Sequence, residues 1–240
     1  MKNNAYHIVT VKDGKSDTAA IVALLNDMAS GRLEPDISLL NYHNEVPVNY
    51  TSTIKSVKQD KVELLVHENQ AVIMKKDKST LIKSRHFQDG LSVHCYAAHV
   101  SVPKKTVILH DFTYAHIRAE RREAVRVRVN DLLPVKFSYG GEEIKGSILH
   151  ISGTGISFYS STPPALGADQ RGILSFAIMG VPLDINSCFV RAVGDSDHHF
   201  YIFRIQPDPN SESVINRFIH RRQVEVIQEI KDGFLTEDYS

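Results

Sequence analysis

Two short stretches of the sequence combine residue types that bind phosphate and guanine. Residues 118–128 hold five arginines and two glutamates, a net charge of +3 in a chain whose acidic and basic side chains balance. Guanidinium groups bind phosphate oxygens and the O6/N7 edge of guanine through paired hydrogen bonds. The second stretch, His150-Ile-Ser-Gly-Thr-Gly155, begins 24 residues after Arg126 and ends an apolar run. Its serine and glycines offer backbone N–H groups and a close approach to the main chain. Together they predict a pocket for a phosphorylated guanine ligand.

Alternating residues indicate how strands would present these side chains. Val125, Val127 and Val129 alternate with Arg126 and Arg128, so the valines should face the core and the arginines the opposite side. If the extended geometry reaches back, Arg122 shares the face of Arg126. His150 and Ser152 are two positions apart, which predicts a common face, and Gly155 could form a left-handed bend.

The second half of the chain is predicted to be a β-barrel closed by a helix. A strand at 135–139 turns at Gly140-Gly141 and returns through 144–151, which is typical of a hairpin. Asp208-Pro209 predicts a capped helix start, with Gly233 just past the end. The further predicted strands are 156–160, 173–179, 183–194 and 200–205.

The first half is also predicted to be mainly β. Apolar residues at helical spacing predict a leading helix over 17–30, capped by Asp17 and closed by Gly31. The period then changes to two, which favours antiparallel strands forming a small barrel or sandwich. These strands are predicted at 46–54, 61–66, 91–97 and 106–115. The fold class is therefore two small antiparallel β-barrel domains in tandem, at 1–117 and 118–240, joined by an arginine-rich linker over 118–128.

The two motifs carry a family resemblance. Arg122-x-x-x-Arg126, followed by His150-x-Ser152-x-x-Gly155, resembles the RxxxR and (D/N)xSxxG pair of PilZ domains, bacterial receptors for cyclic di-GMP. The resemblance covers about residues 118–233, and the preceding β-rich segment resembles the N-terminal domain of YcgR-like flagellar-brake proteins. The chain departs from the family pattern at His150, where the family has Asp or Asn.

The resemblance implies a role for each motif residue. Arg122 and Arg126 would hold phosphate and guanine O6/N7, and Ser152 would bond a guanine edge or a phosphate oxygen. Gly155 would let the backbone come close to the ligand. Arg121 would stack on a base, and in the family an arginine there tends to accompany an intercalated ligand dimer. His150 lacks the two acceptors of a carboxylate, so we expect His150→Asp to tighten binding.

The expected function is a non-catalytic cyclic di-GMP receptor that changes the orientation of its two domains on binding. The resemblance implies control of motility, adhesion or exopolysaccharide through a protein partner, such as a flagellar motor or secretion component. A homodimer is one possible oligomeric state. The alternative is a PilZ-like interaction scaffold that binds no nucleotide because of His150. A third hypothesis is flavin binding by the first barrel, which visible absorbance would test.

The composition and the motifs of the sequence argue against several classes of function. The balanced charge gives no support for binding nucleic acid or membranes through bulk charge. We expect Cys95 and Cys188 to be buried, reduced thiols in a cytoplasmic protein without a signal peptide or membrane span. The cluster Asp195-Ser-Asp-His-His199 favours a hairpin tip over a metal site, and no nucleotide-hydrolase or nucleophile motif is present. No catalytic residue, metal or bound cofactor is predicted.

Overall fold

A computed structural model describes residues 6–117, 124–162, 166–167, 169–194 and 199–237. The chain divides into two compact units. The first unit contains Met1–His43, Pro47–Arg122 and Ile227–Ser240, and the second contains Asn44–Val46 and Glu123–Val226. The predicted boundary between residues 117 and 118 stays a prediction, because residues 118–123 lie outside the described part of the chain.

The first unit is built on a curled antiparallel sheet. Its strands pair in the order β3-β2-β6-β7-β8-β5-β4, and β1 pairs with β8. The strands are β1 Tyr6–Ile8, β2 Ser38–His43, β3 Val46–Thr51, β4 Thr53–Lys58, β5 Lys61–Leu65, β6 Ser79–Lys83, β7 Ser92–Ser101 and β8 Thr106–Ile117. Two helices, α1 Gly14–Ala29 and α2 Glu68–Asp77, and a short 3₁₀ turn at Gln88–Gly90 interrupt them.

Helix α1 begins one turn before the predicted start. Asp13 is its N-cap, and its carboxylate accepts hydrogen bonds from the N–H groups of Lys15 (3.1 Å) and Ser16 (3.0 Å). The prediction that Asp17 caps the helix is wrong. Asp17 is buried and accepts from the N–H groups of Val11 and Lys12, at 2.8 and 3.0 Å, so it binds the loop that enters the helix.

The core of the first unit joins α1 to the sheet. Ile21 and Leu25 of α1 are fully buried, as the helical spacing predicts, in a cluster with Leu64, Leu109 and Phe112 of the sheet. Cys95 is buried in this cluster as a free thiol, and burial raises its pKa well above the ordinary range. Its expected structural role is therefore supported.

The second unit is a closed antiparallel barrel. Its strands pair in the cyclic order β10-β11-β14-β13-β12-β9. They are β9 Arg126–Tyr139, β10 Glu142–Ser152, β11 Gly155–Ser160, β12 Arg171–Ile178, β13 Val181–Gly194 and β14 His199–Gln206. Aromatic rings fill the barrel, with the centroids of Phe137 and Phe203 4.5 Å apart and those of Phe158 and Phe203 5.4 Å apart.

Glycines are required in this barrel for a hairpin turn and for close packing between strands. Gly140 and Gly141 both have positive φ, 54° and 89°, as a two-residue hairpin turn between β9 and β10 requires. At Gly146 an added Cβ would lie 2.1 Å from the carbonyl oxygen of Tyr159, and at Gly172 it would lie 2.3 Å from that of Ser138. Close packing therefore depends on a missing side chain at both positions.

Helix α3, Pro209–Glu237, follows the barrel strands. The Asp208 carboxylate accepts from the N–H groups of Asn210 (2.9 Å) and Ser211 (3.1 Å), so the predicted cap is present. Its apolar stripe is buried at Ile215, Ile219, Val226 and Ile230. The predicted end before Gly233 is wrong, since the helix continues through that residue to Glu237.

The predicted fold class, mainly β with a leading and a terminal helix, is confirmed. The barrel closes in the second unit, whereas the first unit has a curled sheet whose strand path runs from β3 to β4. Sequence patterns missed β1, β2, β6 and α2, and the single strand predicted over 46–54 is divided between β3 and the start of β4.

Candidate ligand-binding site

The pairing of β9 with β10 brings the two sequence motifs together. Arg126 lies directly opposite Ser152, and Arg128 lies opposite His150. Val127, between the two arginines, is fully buried, so both arginines project from the outer face of the barrel. Val125 precedes the strand and is 39% exposed, which corrects the expectation that it faces the core.

A β-bulge sets the orientation of the second motif. Ile148 and Ile151 are both buried although they are three positions apart, because Leu149 is an extra residue between the pairs Ile148–Phe158 and His150–Ser157. After this bulge the alternation changes parity. His150 and Ser152 consequently lie on the face opposite Ile151, beside Arg126 and Arg128.

The turn after β10 is held by its own serine. Ser152 is only 9% exposed, and its hydroxyl donates to the carbonyl oxygen of Gly155 at 3.1 Å. The expected left-handed bend at Gly155 is wrong, since Gly155 has no positive φ. An added Cβ there would lie 3.0 Å from the carbonyl oxygen of Phe203. Gly155 is thus needed for space against β14 rather than for its dihedral freedom.

His150 makes a contact within the barrel surface. Its ring is half-buried, and Nδ1 lies 3.1 Å from the Ser157 hydroxyl on the neighbouring strand. If the hydroxyl donates to Nδ1, a neutral ring carries its proton on Nε2; if Nδ1–H donates, Nε2 is an acceptor. In either tautomer the ring offers a ligand at most one acceptor.

The arginines of the first motif are only partly described. Arg126 is half-buried and Arg128 is exposed. Arg121 and Arg122 lie outside the described residues, so their predicted contacts remain predictions. The same holds for most of the Asp195–His199 cluster, of which only His199 is described.

Sequence reasoning missed the position of Arg222, a buried arginine on α3. Its Nε donates to the carbonyl oxygen of Arg128 at 3.4 Å, and its guanidinium pairs with the Glu225 carboxylate. The hydrogen bond from Arg222 holds the pKa of Glu225 below its usual value, with help from Arg221. The i,i+3 spacing of arginine and glutamate was the available signal. Arg222 links α3 to the strand that carries Arg126.

The barrel strands and both motifs fall within one family match. Residues 120–221 match the family described as PilZ domain. Residues 120–221 form a PilZ domain. The family prediction made from the two motifs is therefore confirmed, with His150 at the position where the PilZ pattern has Asp or Asn.

Several solved structures are similar to this chain over most of its length. YcgR of Escherichia coli in complex with c-di-GMP is 12% identical, covers 92% of this chain and 99% of its own, and has a TM-score of 0.43. The MrkH–c-di-GMP complex of K. pneumonia is 13% identical, with coverages of 95% and 99% and a TM-score of 0.41. The inhibitor of motility MotI/DgrA of Bacillus subtilis is 13% identical, with coverages of 80% and 96% and a TM-score of 0.40. A comparison with curated proteins gives no significant match.

Within the described ranges, no three or more His, Cys, Asp and Glu side chains are placed to hold a metal ion. No helix built from the described residues has the length and apolar character needed to cross a membrane.

Proposed function

We propose that this PilZ protein is a non-catalytic receptor for cyclic di-GMP (c-di-GMP). The observation that carries the proposal is the register of β9 and β10, which sets Arg126 opposite Ser152 on the outer face of a PilZ barrel. An anion-binding fork, a hydroxyl and a closely packed glycine turn thus occupy one end of adjacent strands. Phosphate and guanine are the groups that this set of donors recognises.

The proposed contacts follow from the chemistry of each side chain. Arg126 binds a phosphate oxygen or guanine O6/N7 from β9, together with Arg122 from the preceding segment. Ser152 bonds a guanine edge or phosphate oxygen when its hydroxyl leaves the Gly155 carbonyl oxygen, which lies 3.1 Å from it. Arg121 stacks on a base through its guanidinium plane. His150 contacts the guanine edge through Nε2.

We further propose that ligand binding changes the orientation of the two units. The motif arginines Arg122 and Arg126 belong to different units in the chain. A ligand changes this equilibrium only if it binds the orientations unequally. The output is control of motility, adhesion or exopolysaccharide through a protein partner.

The test is isothermal titration of c-di-GMP into wild-type protein and into Arg122→Ala/Arg126→Ala. Each charge-assisted fork contributes about 1.5–3 kcal/mol, so the double variant should lose about a hundredfold or more in affinity. Lys58→Ala/Lys61→Ala is the charge-matched control, because it also removes two exposed cations, one on β4 and one on β5. Its affinity should equal that of the wild type.

Absence of saturable binding to the wild type at tens of micromolar would reject the receptor proposal and support the interaction scaffold. Equal loss of affinity in Lys58→Ala/Lys61→Ala would show that bulk charge, not the motif, binds the ligand. Small-angle scattering with and without c-di-GMP reports the change in domain orientation, and unchanged curves at saturation would reject that part.

A further inference from the structure

Three barrel strands outside the motif present a second cluster of anion-binding side chains. The pairings of β12 with β13 and of β13 with β14 align six residues in two lateral rows. The first row is Arg171, Cys188 and Arg204, and the second is Ile173, Asn186 and Gln206.

All six side chains face away from the barrel core. On β12, Leu174 and Phe176 are buried, and on β14, Phe203 and Ile205 are buried, so the residues that alternate with them point outward. Cys188 is partly exposed, which corrects the expectation that this thiol is buried. Because its side chain is short, Cys188 leaves space between the two arginines that flank it.

The outer face of these three strands holds a groove of about 780 Å³. Arg171 and Arg204 line it from opposite sides, and Asp169 is its acidic member. The Asp169 carboxylate lies 3.8 Å from the Cys188 sulfur and accepts from that thiol. In the described ranges, no carboxylate lies within ion-pair distance of either guanidinium, and the ionised side chains that line the groove have a net charge of +1.

We propose that this groove binds the phosphate group of a small phosphorylated ligand, independently of the c-di-GMP motif. Neighbouring strands lie about 5 Å apart, so the backbones at Arg171 and Arg204 are separated by about 10 Å across Cys188. Two long side chains that start at this separation can converge on one tetrahedral anion, and each fork then donates two hydrogen bonds. Asn186 and Gln206 form part of the second row. Their side-chain amides donate hydrogen bonds to the rest of the ligand and accept hydrogen bonds from it.

The groove shares no residue with the motif, although the two are adjacent on the barrel surface. Arg204 pairs with Gly155, so the groove begins one strand beyond the motif turn, while Arg126 lies on the far side of that turn. Replacing Arg122 and Arg126 leaves the groove intact. The failure of the c-di-GMP proposal would therefore leave this inference standing, and the reverse is also true.

The test is a titration of the full-length protein with inorganic phosphate, GMP and c-di-GMP, followed by NMR of the arginine Nε–Hε groups at low salt. The groove variant is Arg171→Ala/Arg204→Ala. The charge-matched control is Lys58→Ala/Lys61→Ala, two exposed lysines on the hairpin of β4 and β5 in the first unit. Arg122→Ala/Arg126→Ala isolates the groove from the motif.

Saturable shifts of the Arg171 and Arg204 signals with inorganic phosphate are expected in the wild type, the lysine control and the motif variant. The groove variant should bind at least about tenfold more weakly. Tighter binding of GMP than of phosphate would identify a nucleotide as the source of the phosphate, and equal binding would identify the free anion. If the motif variant binds c-di-GMP more tightly than it binds GMP, the groove is assigned to that dinucleotide.

Two results would overturn the inference. One is the absence of saturable shifts at Arg171 and Arg204 with phosphate and GMP up to about 20 mM, far above the range of specific binding. The other is equal affinity in the groove variant and the lysine control. Since both arginines are exposed, the variants should keep the wild-type melting temperature, and Arg171→Lys/Arg204→Lys should retain only part of the affinity because it keeps charge without the fork.

Discussion

His150→Asp should convert this PilZ domain into a tighter c-di-GMP receptor. His150 lies opposite Arg128, and its Nδ1 is already 3.1 Å from the Ser157 hydroxyl. Guanine presents two donors on one edge, N1–H and the exocyclic amine, and a neutral imidazole can accept from only one of them. A carboxylate accepts from both and can also accept from Ser157 with its remaining lone pairs.

The size of the gain follows from the added hydrogen bond and its charge. The Arg128 guanidinium on the adjacent strand favours the ionised form of an aspartate at this position. One added charge-assisted hydrogen bond is worth about 1–3 kcal/mol, which is about ten- to hundredfold in affinity. His150→Asn adds a neutral oxygen acceptor without the charge, so it should gain less than the aspartate variant.

Isothermal titration of c-di-GMP at one salt concentration measures all three proteins. The expected order of affinity is Asp, then Asn, then the wild-type histidine. An aspartate variant that binds no better than wild type would refute the placement of residue 150 at the guanine edge. Combining His150→Asp with Arg122→Ala/Arg126→Ala should abolish the gain, which checks that the new carboxylate acts in the same pocket.

Two predictions concern folding. Gly146→Ala should lower the free energy of unfolding, measured in urea, by about 3 kcal/mol or more, because its Cβ would lie 2.1 Å from the Tyr159 carbonyl oxygen. Gly153→Ala is the control: its nearest contacts lie at 3.7 Å, so it should change the free energy of unfolding by less than about 1 kcal/mol. Equal losses in the two variants would contradict this account. Burial lowers the pKa of His94 below 6.5, so the unfolded chain takes up a proton there more readily than the folded protein. The contribution of neutral His94 to the free energy of unfolding should therefore be fully present above pH 6.5 and decrease below it, by at most about 1.4 kcal/mol per pH unit. In His94→Gln, the free energy of unfolding should depend less steeply on pH between about pH 7.5 and 5. Identical pH profiles for variant and wild type would disprove the role of His94.

Local patterns in the sequence determined much of the architecture. The Gly140-Gly141 turn, the Asp208 cap of α3 and most strands were readable because hairpin turns, helix starts and alternation depend on residues close together in the chain. The two motifs indicated the PilZ family because their residue types and separation are characteristic. Helix α2 was missed, since its apolar residues at 71–74 form one continuous run without helical spacing and its ten residues are few for a periodic signal.

The tertiary structure alone decided which side chains meet. The extra residue Leu149 changes the parity of β10, and a bulge leaves no local signal that sequence alternation can detect. The pairing of Arg126 with Ser152 and the row from Arg171 through Cys188 to Arg204 join residues that are 16 to 26 positions apart. Such contacts depend on strand register around a closed barrel, and register is fixed by packing of the whole core rather than by any single segment.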